Sequence, residues 1–479
     1  MIDILLVNPR ETGRFFEKMP PLGPASIAAN LEKNEYSVKI IDFEIEKQPL
    51  EYWLNRFHPR FLGISGTTHT RFEAFRLARE AKAFDKTITV VYGGVHASCA
   101  AVNTLNKIPE IDFIVRGEGE ETVVNMIKAY KTDLDFSIIR GLAYRGDGVI
   151  IDNPQAHRAD LNDLPMPAYH LLDMKRYSLR MPFNNRKGIS LITSRGCQAR
   201  CTFCSASHMF SHLVTTRSAP LVADEISRLF TAYGYEAVKI FDSTFTIDRD
   251  HALGFCREIT NRDLKFPWEC EIRVGTVDIE LLEKMQEAGC YHVDVGIESG
   301  SQKVLDLMRK GITVEQAHDT LQLCHKIGLK IKAFFSYGHI GETMKDVDMT
   351  FAFIEKHKDM IDVVASGAGV RIYPGTYLET YARKNDLLPA DFEWSLPYED
   401  ERLESIFQTP SVPVLIQAQL GYAELEKIAL RIYGNRYRGW DGFKLGLTKV
   451  TDPVKLRKLT RVMKLKLKDR FKKPDPDKT

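Results

Sequence analysis

The chain has 479 residues, 44% hydrophobic and 27% charged, with a formal net charge of +2. That composition is globular, excludes a disordered, collagen-like or coiled-coil protein, and at about 150 residues per domain predicts two to four domains. No run of about 18 apolar residues offers a membrane span, and eight cysteines, five of them scattered singly, argue against a disulfide scaffold and for a reducing cytoplasm.

The opening MIDILLVNPR reads as a first strand and not as a signal peptide. Strands are expected at 4–8, 38–42, 61–65, 87–92 and 111–115, with helical spacing at 24–33 and 72–84. Continuous β-branched runs between helices predict a parallel sheet covered on both faces, hence a doubly wound domain over residues 1–135. Such a sheet binds ligands outside the carboxyl ends of its strands. Three turns fall at that edge: Ser65-Gly66-Thr67-Thr68, Gly93-Gly94-Val95-His96 and Arg116-Gly117-Glu118-Gly119-Glu120-Glu121. Glycine lets backbone approach a large ligand closely, and the same residues also suit plain tight turns.

Residues 136–187 contain Leu164-Pro165-Met166-Pro167 and no long periodic element, and read as a linker. Strand–helix alternation resumes over 188–380, with strands expected at 189–193, 237–241, 269–273, 292–296, 330–335 and 363–370. Six βα units predict a partial barrel with its active face at the strand carboxyl ends. Residues 381–479 are less periodic and form a small, mostly helical C-terminal region. From Lys444 onward, thirteen Lys/Arg face four Asp, so this tail carries +9 and the rest of the chain −7. Residues 453–471 place Leu456, Leu459, Met463, Leu467 and Phe471 on one face of a basic helix. The tail suits a solvated end or a peripheral membrane contact. Nucleic acid is not expected as a partner, because no aromatics interleave the charges and the body is acidic.

The sharpest motif is Ser194-Arg195-Gly196-Cys197-Gln198-Ala199-Arg200-Cys201-Thr202-Phe203-Cys204. Three cysteines spaced C-x3-C-x2-C directly after a strand aim three thiolates at one centre. They suit a [4Fe-4S] cluster with one iron left open, or a zinc site completed by His208.

At these residues the sequence resembles the radical S-adenosylmethionine (SAM) superfamily. Supporting segments are Phe203 beside the last cysteine, Asp242-Ser243 after the second barrel strand, Glu271-Ile272-Arg273 on the third, Gly296-Ile297-Glu298-Ser299-Gly300 after the fourth, and residues 335–343 (FSYGHIGET) after the fifth. The last segment has His339-Ile340 where a Leu-Pro pair is common. In the first domain, Pro20-Pro21-Leu22-Gly23 and the two glycine turns from Gly93 and Arg116 resemble the cobalamin-binding domain that precedes many radical SAM barrels. Together the resemblances cover about residues 1–380.

The resemblance implies that Cys197, Cys201 and Cys204 hold the cluster and that SAM is cleaved reductively to a 5′-deoxyadenosyl radical. Phe203, Asp242, Ser243, Arg273, Glu298 and Ser299 would then meet SAM. Asp242 and Glu298 also suit helix caps, and Arg273 an internal ion pair. Ser65, Gly66, Thr67, Gly93, Gly94, His96, Arg116, Gly117, Glu118, Gly119 and Glu120 would line the cobalamin site. No histidine has an Asp two residues earlier, so cobalt is not expected to be ligated through a D-x-H-x-x-G motif. The implied function is methylation or cyclisation at an unactivated carbon of a small molecule, lipid or porphyrin-like, with electrons from a flavodoxin or ferredoxin. Two alternatives remain open: a first domain without cobalamin that serves substrate binding, and a non-catalytic corrinoid- or zinc-binding interaction protein.

Overall fold

A computed structural model describes residues 1–11, 18–177, 179–398, 400, 402 and 411–436. The basic helix expected at 453–471 lies outside these residues, as does the side chain of His208.

The chain lays down β1 (Ile2–Asn8), β2 (Val38–Asp42), β3 (Pro59–Ser65), β4 (Thr89–Gly93) and β5 (Phe113–Val115) as parallel strands in the order β2-β1-β3-β4-β5. In β1, Ile4, Leu5, Leu6 and Val7 are all buried. Ile4 and Leu6 join the core under helices Leu22–Lys33 and Gly119–Thr132, while Leu5 and Val7 join the core under Leu50–Phe57 and Arg71–Phe84. Burial on both faces is why the strand reads as an unbroken apolar run.

Part of the expected linker has its own structure. β6 (Leu142–Gly146) and β7 (Val149–Asp152) form a hairpin that extends the first sheet antiparallel beyond β5. Gly146 pairs with Val149 across Asp147-Gly148, whose φ angles are +49° and +78°. Two positive φ values in a two-residue loop are what an Asp-Gly hairpin turn requires. Beyond it, Tyr169 and Tyr177 are buried and tie the crossing segment to both halves: Tyr177 donates to Asp42 (2.8 Å) and Tyr169 to Glu225 (2.5 Å).

The second large sheet holds six parallel strands and an antiparallel edge. The edge strand β8 (Leu179–Arg180) pairs with β9 (Lys187–Leu191). A short ribbon, β10 (Ser194–Arg195) with β11 (Thr215–Thr216), stands apart from that sheet. The sheet continues through β12 (Ala237–Ile240), β13 (Trp268–Arg273), β14 (Cys290–Glu298), β15 (Lys330–Ser336) and β16 (Val363–Gly367). Each of the six parallel strands lies where the sequence predicts one, and the fold is a doubly wound domain followed by a partial barrel. The described C-terminal part carries helices Tyr377–Lys384 and Tyr422–Arg436. It also clasps the first domain: buried Arg71 donates to the carbonyls of Thr68 (2.5 Å), Trp394 (2.9 Å) and Ser411 (2.6 Å).

Candidate active site

The cysteine loop leaves the carboxyl end of β9 and is closed at its base by the β10–β11 ribbon, Ser194 opposite Thr216 and Arg195 opposite Thr215. Gly196 opens the loop with φ +101°, and a Cβ there would fall on the carbonyl oxygen of Leu213, so only glycine fits. Asp242 anchors the same base. Its carboxylate accepts from Thr193 N (2.7 Å), Thr193 Oγ1 (2.6 Å) and Ser194 Oγ (2.7 Å). Thr193 Oγ1 in turn lies 2.8 Å from His251 Nε2, which donates to it because the hydroxyl proton is committed to Asp242. Burial raises the Asp242 carboxyl above its ordinary value, against these donors. Asp242, expected to meet SAM, is therefore turned inward to fix the loop; its neighbour Ser243 faces the cavity instead.

That cavity, about 370 Å³, is lined by Cys197, Cys201 and Cys204 together with Phe203. The three thiols are half-buried and free of disulfides. Among the described residues no three His, Cys, Asp or Glu side chains converge on a single ion.

The opposite wall is the carboxyl edge of β13–β15. Arg273 lines it and donates to the carbonyl of Lys310. Glu298, in left-handed backbone at φ +72°, pairs with Lys310 Nζ (3.1 Å) and accepts from Ser336 Oγ (2.8 Å). Burial opposes its charge, yet Lys310 and Ser336 hold its carboxyl below the ordinary range. Ser336 Oγ is 2.7 Å from His339 Nε2, and burial pushes that imidazole down to about 4, so it is neutral and donates through Nε2. The His339 ring packs edge-on to Phe203 at 5.3 Å between centroids. The fifth-strand turn thus reaches the site through a histidine, where the related pattern has an aliphatic pair. Lys310 and Ser336 were not anticipated, because Lys310 sits in an Arg-Lys-Gly turn with no pattern to mark it. Ser299 does not face the cavity: it is buried with its hydroxyl 3.1 Å from Thr350 Oγ1, against helix Met344–Lys356. Deeper in the barrel, Lys239 bridges Glu269 (2.9 Å) and Asp294 (3.2 Å). Asp294 reaches the cavity beside Glu271, whose carboxyl burial lifts to about 7.

A second cavity, about 260 Å³, opens between the first sheet and the barrel. Its floor is Ile4, Leu6, Val91 and Val115; its rim is Ser65, Gly93, Gly94, Gly117 and Gly119. Leu161 and Leu164 of the crossing segment close one side, and Met209 and Phe210, just past the third cysteine, close another. Four predicted residues are absent from its walls. Thr67 bonds to Thr70 at the entry to helix Arg71–Phe84, its amide donating to Thr70 Oγ1 (2.9 Å). Gly66 is pressed against Gly94, where a Cβ would meet the Gly66 carbonyl at 2.5 Å, so this glycine pair serves loop-on-loop packing. Arg116 pairs with Asp152 (2.8 Å) and holds the hairpin. His96 is fully buried, 3.2 Å from Thr68 Oγ1 and edge-on to Trp394; desolvation keeps it neutral. Glu118 and Glu120 do line the cavity, but their oxygens are engaged by Arg195, Nη1 to Glu118 at 2.9 Å and Nη2 to Glu120 at 2.7 Å.

Two family matches fall on these two halves: residues 12–127 match the B12 binding domain and residues 191–354 the Radical SAM superfamily. An uncharacterized methyltransferase of Pyrococcus horikoshii is 33% identical over 375 residues, covering 77% of this chain and 80% of its own. The chain belongs to the B12-binding radical SAM family. Another relative, the anaerobic magnesium-protoporphyrin IX monomethyl ester cyclase of Rubrivivax gelatinosus, is 29% identical over 69% of this chain and 61% of its own. The fold matches the cobalamin-dependent radical SAM enzyme OxsB, solved with aqua-cobalamin and SAM, at TM-score 0.74 and 17% identity over 98% of this chain and 71% of that one. Radical SAM family members use a [4Fe-4S] cluster and SAM, and the B12-binding class adds cobalamin. Both cavities suit those groups: one presents the three cysteine thiols beside Ser243, Arg273 and the Glu298–Lys310 pair, the other a glycine-rimmed apolar slot.

Among the described residues no helix is long and apolar enough to cross a membrane.

Proposed function

We propose that this chain is a cobalamin-dependent radical SAM enzyme that methylates an unactivated carbon of a small-molecule substrate. The observation that carries the reading is the pairing of two cavities on the two arms of one loop: the cysteines face the barrel cavity, and Met209 and Phe210 face the cavity of the first domain. The cluster, SAM and cobalamin together supply reductive C–S cleavage and methyl carriage, chemistry that belongs to the cofactors.

The chain's own residues bind, orient and exclude water. Cys197, Cys201 and Cys204 hold the cluster. Glu298, anionic and set by Lys310 and Ser336, accepts from ribose hydroxyls, while Lys310 and Arg273 face a carboxylate. Phe203, braced by His339, packs on an adenine face. Ser243 offers a hydroxyl to an amino group. In the first domain, Ser65 and the glycines of the rim let a flat apolar group enter against Val91 and Val115. The first unit runs through the hairpin to Asp152, and the barrel from residue 187. Cyclisation of a porphyrin-like substrate is the second reading, favoured by the relatedness to the magnesium-protoporphyrin cyclase. Electrons come from a flavodoxin- or ferredoxin-type donor in the cytoplasm.

The test is an anaerobic assay of SAM cleavage under a strong reductant after reconstitution with hydroxocobalamin. Formation of 5′-deoxyadenosine by wild type, abolished in Cys201→Ala, supports the reading; S-adenosylhomocysteine formed alongside it favours methyl transfer over cyclisation. Absence of both products in wild type rejects it.

A further inference from the structure

The base of the cysteine loop is gripped from the first domain. Arg195, two residues before the first cysteine, is largely buried and spans two carboxylates, Glu118 and Glu120, each about 95% buried. Ser26 Oγ also donates to Glu120, at 2.8 Å. Glu118 takes a second arginine as well: Arg158 Nε is 2.7 Å from its Oε2. Arg158 then wraps the loop, donating to the carbonyls of Phe210 (3.0 Å), Leu213 (3.2 Å) and Arg195 (3.2 Å) and to Thr215 Oγ1 (2.8 Å). Two buried cations and two buried anions therefore close on one another with their charges balanced. Each depends on its partners, because an ion left single in such a setting is strongly unfavourable.

Three of the four also form a wall. Glu118, Glu120 and Arg195 line the cavity of the first domain, and so do Ile192 before the cysteines and Met209 and Phe210 after them. The two ends of the cysteine loop are thus part of the surface that a group in that cavity would touch. The structure shows this wall with Arg195 seated on both carboxylates, and a cluster that fixed the loop there would hold the wall in that one position. Any group in the cavity then binds one loop state better than the other, and the preference acts equally in both directions.

We propose that Arg195 is a positioning residue that couples the two cofactor sites: held by Glu118 and Glu120, it makes cobalamin binding in the first domain and cluster assembly on the cysteine loop mutually reinforcing. The proposal rests on the two-cofactor reading above. It assigns Glu118 and Glu120 a task other than contact with the cofactor, namely the grip on Arg195.

The experiment measures hydroxocobalamin affinity by absorbance titration of the full chain, once with its iron–sulfur cluster reconstituted and once after the iron is chelated away. The ratio of the two dissociation constants is the readout. Wild type is expected to bind at least about fivefold more tightly with the cluster present, the lower end of ordinary coupling between sites. In Arg195→Gln combined with Glu120→Gln, which removes one buried charge of each sign, the ratio is expected to fall to near one. A merely structural role would weaken both titrations together and leave the ratio intact. Glu118→Gln serves as an independent second variant, with its ratio intermediate. Equal affinities in the two wild-type forms, or a ratio undiminished in both variants, would overturn the coupling. Failure of both wild-type forms to bind hydroxocobalamin would instead overturn the two-cofactor reading.

Discussion

Gly196 shows how much of the site hangs on single positions. Its left-handed backbone and the Leu213 carbonyl where a Cβ would fall leave no room for another residue. Gly196→Ala is expected to cost about 1–3 kcal/mol or more, read as a lowered unfolding midpoint and iron content reduced below wild type; unchanged values of both would contradict this. Glu342 carries a pH signature. It is fully buried and accepts from the amides of Gly338 (2.6 Å) and His339 (2.9 Å), yet burial lifts its carboxyl to about 7. An unfolded glutamate titrates near about 4.3, so the folded chain binds more protons between these values and loses stability as pH rises through them. Glu342→Gln removes that loss: from pH about 5 to about 8 the wild-type melting temperature should fall relative to the variant. Parallel curves would reject the assignment. At this scale the sequence was legible where a motif marks the position, as for the cysteines, Phe203, Arg273 and Glu298, which the fold brings to one cavity. It was not legible where only packing decides. Asp242, Ser299 and His96 have the residue types expected of ligands, and each is turned inward by a bonded neighbour that lies next to it in space.

Among the elements, the ribbon β10–β11 and the end of β9 carry the site, and Thr193 joins them. Its hydroxyl donates to Asp242 and accepts from His251. Thr193→Val leaves the shape and removes both bonds, so that Asp242 Oδ2 keeps only the Ser194 hydroxyl and His251 Nε2 loses its acceptor; a loss of about 1–3 kcal/mol in denaturant unfolding follows. The loosened loop should also release iron to a chelator faster than wild type. An unaltered release rate would show that the ribbon alone holds the loop. The parallel strands were legible because burial on both faces leaves continuous β-branched runs, and each is bounded by turn residues. The hairpin β6–β7 was missed although Asp147-Gly148 marks its turn, because four- and five-residue strands alternate too briefly to stand out. The crossing segment beyond it packs through scattered tyrosines, Tyr169 and Tyr177, which have no periodicity to read.

For the whole molecule, the account rests on two cavities separated by one loop. The cavity of the first domain is closed partly by Leu164, which is half-buried on the crossing segment and belongs to no strand or helix. Leu164→Trp should fill it from that side, abolishing hydroxocobalamin uptake while leaving iron and sulfide at wild-type levels under saturating reconstitution. Retained cobalt binding would place the corrinoid elsewhere. The two-part architecture was readable from the sequence because each half repeats a short βα unit many times. The contacts between the halves were not. Arg195 with Glu118 and Glu120, Arg158 with the loop carbonyls, and Arg71 with Trp394 join residues 37 to 323 positions apart, and no local pattern announces a partner at such distances.

The central claim is that one chain carries a cluster on Cys197, Cys201 and Cys204 and a cobalamin in the first domain. Metal and sulfide analysis after anaerobic reconstitution with hydroxocobalamin tests it most directly. The account predicts about four irons, about four sulfides and about one cobalt per chain, with the iron lost in Cys201→Ala. One zinc in place of iron, or full iron with no cobalt, would contradict it.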